Sequence, residues 1–135
     1  MQPDKLTDGI YRVHAKIGNR DLFEGIWPLP NGVHLNSYIV KGSEKTALID
    51  LVKDWEGSVA AVNDQIRQLG LSIQDIDYLV INHMEPDHTG SLAELRKKNP
   101  KLEIVCTKKA VPLVKSFYGI EQGVRAVASG DMLDL

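Results

Sequence analysis

The chain has 135 residues, a length that fits one domain. Hydrophobic residues make up 43% and charged residues 25%, a balance that excludes a chain disordered by composition. The net charge is -2 and Lys and Arg are scattered, so nothing marks a nucleic-acid or anionic-membrane surface. The single cysteine, Cys106, excludes an intramolecular disulfide and any four-Cys metal or Fe–S site within one chain. No apolar run approaches the roughly 18 residues of a membrane span. Met1-Gln2-Pro3-Asp4 has neither a basic nor an apolar leader region, which makes the cytoplasm the expected compartment.

The first apolar run, Ile10 to Ile17, alternates with period two and predicts a half-buried strand, with Gly18-Asn19 as its turn. A short strand at Leu22-Phe23 is expected to pair with it. Pro28-Leu29-Pro30-Asn31-Gly32 reads as a loop. Asn36–Val40 and Thr46–Ile49 read as an antiparallel hairpin across Lys41–Lys45. Trp55, Val59, Val62, Ile66 and Leu69 then recur at helical spacing, with Asp54 as candidate N-cap and Gly70 as the residue that stops the helix. Tyr78–Ile81 is a continuous apolar run, as in a strand buried on both faces. A loop from Asn82 to Gly90 follows, then a short helix over Ser91–Lys98 with Leu92 and Leu95 inward. Leu102–Cys106 reads as a buried strand. Thr107 can cap a helix to about Phe117, with a kink or a later start at Pro112. Val124–Ala128 is the last strand, and Met132–Leu135 starts a further element. The sum is a mixed α/β sheet of about seven strands covered by helices. The helices are too few for both faces, so one sheet face is expected to need a partner.

The chemistry concentrates in His83-Met84-Glu85-Pro86-Asp87-His88. Two imidazoles and two carboxylates follow directly on a buried strand, whose rigid end can turn several side chains into one small volume. Pro86 cannot continue an upstream helix, which places the cluster on a loop. There His83 and Glu85 can point one way and Asp87 and His88 to an adjacent position, a geometry suited to two bridged metal ions. With imidazole and carboxylate and no thiolate, iron, manganese or zinc fits. The carboxylate charge favours iron over zinc. Four ligands are too few for two metals, so further ligands must come from elsewhere.

Other candidates carry less. Asp50, at the end of its strand, can accept hydrogen bonds from backbone N–H groups of the metal loop or serve as a polar strand terminus. His14 reads as a surface or half-buried strand residue and His34 as a residue of the Pro-rich loop. Cys106 reads as a buried core residue, and Lys108 and Lys109 as solvated helix-start residues. No Gly-rich phosphate loop is present, so no nucleotide or flavin site is visible.

The run from His83 to Leu92 resembles the metal loop of flavodiiron proteins (A-type flavoproteins), which are built on the metallo-β-lactamase fold. Glu85 followed by Pro86 is the variant typical of the diiron branch, where zinc members carry His. Leu22-Phe23-Glu24, Trp27 to Gly32, Asn36 to Ile39, Lys45 to Asp50 and Asp75 to Tyr78 resemble the family in the same order, so the likeness runs from about Asp21 to Gly130. It implies an α/β (α+β) metallo-β-lactamase-like mixed sheet with helices on one face, the first half of an αββα sandwich. It also implies a non-haem diiron site reducing dioxygen to water or nitric oxide to nitrous oxide. His83 and Glu85 would hold one iron, and Asp87 and His88 the other. Electrons would come from FMN in a following flavodoxin-like domain, brought close by a head-to-tail dimer. The family's further His, bridging Asp and last His all lie beyond residue 135. Residues 1–135 are therefore expected to be the N-terminal part of the domain, with little activity alone.

Two rivals stand beside a flavodiiron-type fragment. One is a partner-dependent or self-associating half-domain, completed by a second chain. The other is a zinc-dependent hydrolase of the same fold, against which Glu85 argues.

Overall fold

The computed structural model describes residues 1–18, 22–23 and 25–135. Asn19 of the expected turn, and Asp21 and Glu24 of the resemblance, lie outside them. Strand β1 (Asp4–Thr7) precedes β2 (Ile10–Ile17). A two-stranded hairpin, β3 (Leu22–Phe23) and β4 (Trp27–Pro28), leads to β5 (Val33–Lys41) and β6 (Thr46–Ile49). Helix α1 (Ser58–Gln68), β7 (Tyr78–Val80), a single turn α2 (Pro86–Thr89) and α3 (Leu92–Lys98) follow. The chain continues through β8 (Glu103–Thr107), α4 (Val111–Tyr118) and β9 (Val124–Val127).

One seven-stranded sheet runs in the order β1-β2-β5-β6-β7-β8-β9. The pairs from β1 to β6 are antiparallel, whereas β6 to β9 are parallel and joined through helices. The mixed sheet matches the expected fold class.

Several expectations are corrected. Leu22-Phe23 pairs with Trp27-Pro28 and not with the first strand. Gly25, at a φ of 77°, is the third residue of a tight turn closed by the Ile26 N–H on the Phe23 carbonyl, and β2 is taken up by β5 from Ile10↔Val40 to Ile17↔Val33. Pro28 therefore lies in an edge strand, where its missing N–H is tolerated. The same register starts β5 at Val33, so His34 sits in a strand opposite Lys16 and not in a loop. Gly32 turns the chain into it at a φ of 74°, where a Cβ would lie 2.3 Å from the Ile17 carbonyl oxygen. Helix α1 starts at Ser58, and Asp54 does not cap it. Glu56 and Gly57 are left-handed at φ of 53° and 77°, and Ser58 Oγ bonds back to Trp55 N–H and the Lys53 carbonyl, which closes a turn before the helix. Trp55 is still buried, edge-on to Phe23 at 5.2 Å. Gly70 ends the helix as expected, at a φ of 73°. Pro112 sits in the first turn of α4, which is the later start. β1 was not foreseen, since its exposed residues carry no apolar alternation.

The main core lies between one sheet face, carrying Val13, Leu35, Ile39, Leu48, Leu79 and Ile104, and the inward sides of the helices, Val62 and Ile66, Leu92 and Leu95, and Val114. The second face buries Ala47, Tyr78 and Val105, and its cover among the described residues is Leu133 and Leu135 rather than a helix. Cys106 is buried in the main core, and burial pushes its thiol pKa up. No helix among the described residues is long and apolar enough to cross a membrane.

Pairing of β1 with β2 stops at Arg12, so the next edge group of β2 needs another partner. Gln65 of α1 supplies it: its Oε1 accepts the His14 N–H at 3.1 Å, and its Nε2 donates to the His14 carbonyl at 2.7 Å. Gln65 is fully buried. Gln65→Ala is expected to leave both groups unpaired and to cost about 1–3 kcal/mol in urea unfolding.

Candidate metal centre

The parallel β6–β7 pair ends where the site begins. Asp50 follows β6 at a φ of 55°, a conformation that Asp adopts more readily than most residues. Its N–H bonds to the Val80 carbonyl at 2.9 Å. Its carboxylate accepts the Asn82 N–H on Oδ1 at 2.8 Å and the Asn82 side-chain amide on Oδ2 at 3.0 Å. A few residues on, Leu51 N–H donates to the His88 carbonyl at 2.9 Å and Lys53 N–H to the Asp87 carbonyl at 3.0 Å. Residues 50–53 thus hold both ends of the 82–88 segment.

Within that segment the loop expectation is corrected. Pro86 opens a helical turn, because the N1 position needs no N–H from it and suits its fixed φ. The turn places Asp87 and His88 beside His83. One ligand atom from each of His83, Asp87 and His88 lies within 4.8 Å of the others. Glu85 falls outside this group: its largely exposed carboxylate lies 3.6 Å from His83 Nε2.

Asp87 is buried and His88 half-buried. His88 stands between two carboxylates, Nε2 3.3 Å from Asp87 Oδ2 and Nδ1 3.8 Å from Asp50 Oδ2. The His83 and His88 rings are 4.5 Å apart. Asp87 Oδ1 and His88 Nδ1 are buried and have no hydrogen-bond partner among the described residues. An unpartnered buried carboxylate oxygen costs free energy unless something electropositive meets it. Nitrogen and oxygen donors with no sulfur suit iron, manganese or zinc. The residues present therefore fit a metal ion.

An open cleft beside the group is lined by His83, Met84, Glu85, Pro86, Leu113, Phe117 and Tyr118. Three of these come from α4. Asn82, Thr89 and Tyr118 were not singled out in the sequence. Asn82 follows the strand as an ordinary loop residue, and Tyr118 lies 29 residues from its partner Thr89.

His14 and His34 stand elsewhere, on β2 and β5, stacked with centroids 5.8 Å apart. Burial is the largest influence on His14 and holds its pKa below the ordinary 6.5, while Asp4, at 3.5 Å, pulls it up. Arg12 hydrogen-bonds Asp4 and holds that carboxyl below its usual range. Lys108 and Lys109 are exposed in the turn before α4.

Residues 30–131 match the family model described as the metallo-beta-lactamase superfamily. The chain is 36% identical to the anaerobic nitric oxide reductase flavorubredoxin of Vibrio vulnificus over 134 residues, covering 91% of this chain and 26% of that protein. Among solved structures it resembles the flavodiiron protein of Giardia intestinalis with a TM-score of 0.85 and 28% identity, covering 99% of this chain and 32% of that one. It resembles the rubredoxin oxygen:oxidoreductase of Desulfovibrio gigas with a TM-score of 0.83 and 32% identity, covering 96% and 32%. The chain thus spans about a quarter to a third of the relatives it matches.

Asp50→Ala is expected to free the Asn82 N–H and to put Ala at a left-handed position, costing about 2–4 kcal/mol in thermal or urea unfolding. Asp50→Asn keeps the shape and an acceptor and is expected to cost less. The depressed His14 pKa favours the neutral ring in the folded state. Its contribution to stability is present above the ordinary value of 6.5 and is lost as pH falls through the lower folded value. The fall in Tm between pH 6.5 and that lower value is expected to be shallower in His14→Gln.

Proposed function

Because the chain belongs to the metallo-beta-lactamase superfamily and matches the N-terminal region of flavodiiron proteins, we propose that its 82–88 segment is the first part of a diiron site. On this reading the whole protein is an oxidoreductase that reduces dioxygen or nitric oxide. The observation that carries it is the buried Asp87 carboxylate, with Oδ1 unpartnered, grouped with His83 and His88 so that one ligand atom of each lies within 4.8 Å of the others.

His83, Asp87 and His88 would hold the metal, and Glu85 would join them by a side-chain rotation toward His83. Bound iron would supply reversible one-electron chemistry and Lewis acidity toward a diatomic ligand. Asp50 has a distinct role. His88 Nδ1 faces Asp50 Oδ2 at 3.8 Å, short of a hydrogen bond, and closing that gap would put the proton on Nδ1 and present the Nε2 lone pair beside Asp87. A carboxylate behind a ligating imidazole fixes the tautomer and raises its basicity. Pro86, Leu113 and Phe117 border the open cleft with apolar surface.

These four side chains fall short of the roughly four to six ligands that each ion of a pair takes. The remaining ligands, and the FMN that passes electrons in this reading, belong to a following segment or a second chain. The partly exposed Val40, Val80 and Val127 on the second sheet face are where such a partner would pack.

The test is an anaerobic titration of the chain with ferrous iron and, separately, zinc, with metal content measured after desalting. Iron retention is expected to fall in Asp87→Ala and His83→Ala by more than the ~10–100-fold that loss of an outer hydrogen-bond partner costs. Retention unaffected by either substitution would exclude this segment as the site. Retention of zinc with rejection of iron would favour the hydrolase branch.

A further inference from the structure

Helix α4 reaches the metal segment through its last side chain. Tyr118 packs its ring against the main core, and the helix ends at Gly119, at a φ of 67°. The Tyr118 hydroxyl lies 2.7 Å from Thr89 Oγ1. Thr89 is fully buried, and its hydroxyl oxygen is also 3.0 Å from the Glu85 carbonyl and 3.4 Å from the Met84 carbonyl. Proton counting sets the direction of these bonds. Carbonyl oxygens only accept, and Thr89 has one hydroxyl proton, which goes to the nearer carbonyl, that of Glu85. The bond between the two hydroxyls then uses the Tyr118 proton, so Tyr118 donates to Thr89.

The carbonyl held in this way lies midway between His83 and Asp87. It also accepts the His88 N–H at 3.0 Å, while Gly90 N–H bonds to the Pro86 carbonyl at 2.7 Å. Helices this short are marginal without outside support. Residues 50–53 tie down the ends of the segment, and the Tyr118–Thr89 pair is the contact that reaches the bend between them.

We propose that Tyr118, acting through Thr89, is a positioning residue for the metal segment. It holds the bend at Glu85 and so sets the approach of His83 to Asp87 and His88. The proposal rests on the metal reading above, and it takes a readout that needs no metal. Tyr118→Phe keeps the ring and deletes only the hydroxyl. Thr89→Val keeps the shape and deletes both bonds, whereas Thr89→Ser retains them.

In the metal-free chain, amide hydrogen exchange at His88 and Gly90 is expected to quicken roughly 3- to 10-fold in Tyr118→Phe and Thr89→Val. It should stay near the parent value in Thr89→Ser, with β7 and β8 amides unchanged in all three. In a cobalt(II) titration followed by visible absorption, Tyr118→Phe is expected to weaken binding about 10- to 100-fold and to alter the ligand-field bands. Unaltered exchange together with parent-like cobalt binding would overturn the positioning role alone. Faster exchange in a chain whose parent takes up no cobalt would overturn the metal reading and the positioning role with it.

Discussion

The site depends on how the parallel β6–β7 pair is terminated. Asp50 takes the turn out of β6 in a left-handed conformation and reaches across to the second residue after β7, Asn82, with both carboxylate oxygens. Immediately beyond, the amides of Leu51 and Lys53 bind the carbonyls of His88 and Asp87. These bonds fix the backbone of residues 87 and 88, whose side chains lie beside His83. A backbone hydrogen-bond pattern thus assembles the three side chains.

The assembly carries a local energetic cost. Asp87 is buried with one oxygen unpartnered, and a group of that kind typically costs about 1–3 kcal/mol. The rest of the fold has to offset this, and the surrounding core is built for it: Leu79, Ile104 and Leu92 are fully buried around the strand that feeds the segment. A rigid strand end with an unsatisfied carboxylate lowers the ordering cost for a cation that binds there, because the chain need not be organised again on binding.

Much of this was legible from residue order. Periodicity placed the strands of the β5–β6 hairpin, the buried Tyr78 run, and the inward Leu92 and Leu95, because those signals are set by burial on a fixed repeat. A donor cluster after β7 could be anticipated from donor types packed within a few residues of a strand end, but Glu85, expected to pair with His83 on one ion, falls outside the group. What was not legible depends on tertiary contact. Whether Pro86 breaks or opens a helix turns on the residues before it, and here it opens one. The start of α1 is decided by the bonds of Ser58 to Trp55 and Lys53, which helical spacing of apolar residues cannot reveal. His34 looked like a loop residue until the Gly32 turn set the register of β5 against β2.

The two sheet faces are packed differently. Helices α1, α3 and α4 pack on one face and form a continuous core there. That second face buries only a small apolar group under Leu133 and Leu135. The metal segment lies beyond the ends of β6 and β7, and both sheet faces meet there. In open sheets with parallel strands, ligands characteristically bind beyond the strand carboxyl ends, where side chains from several elements converge. Here the helical layer contributes Tyr118, Leu113 and Phe117 from α4 to the surroundings of the ligands. Burial grades across the segment, from enclosed Asp87 to exposed His83 and Glu85, so the open side of this donor group is the side of His83 and Glu85.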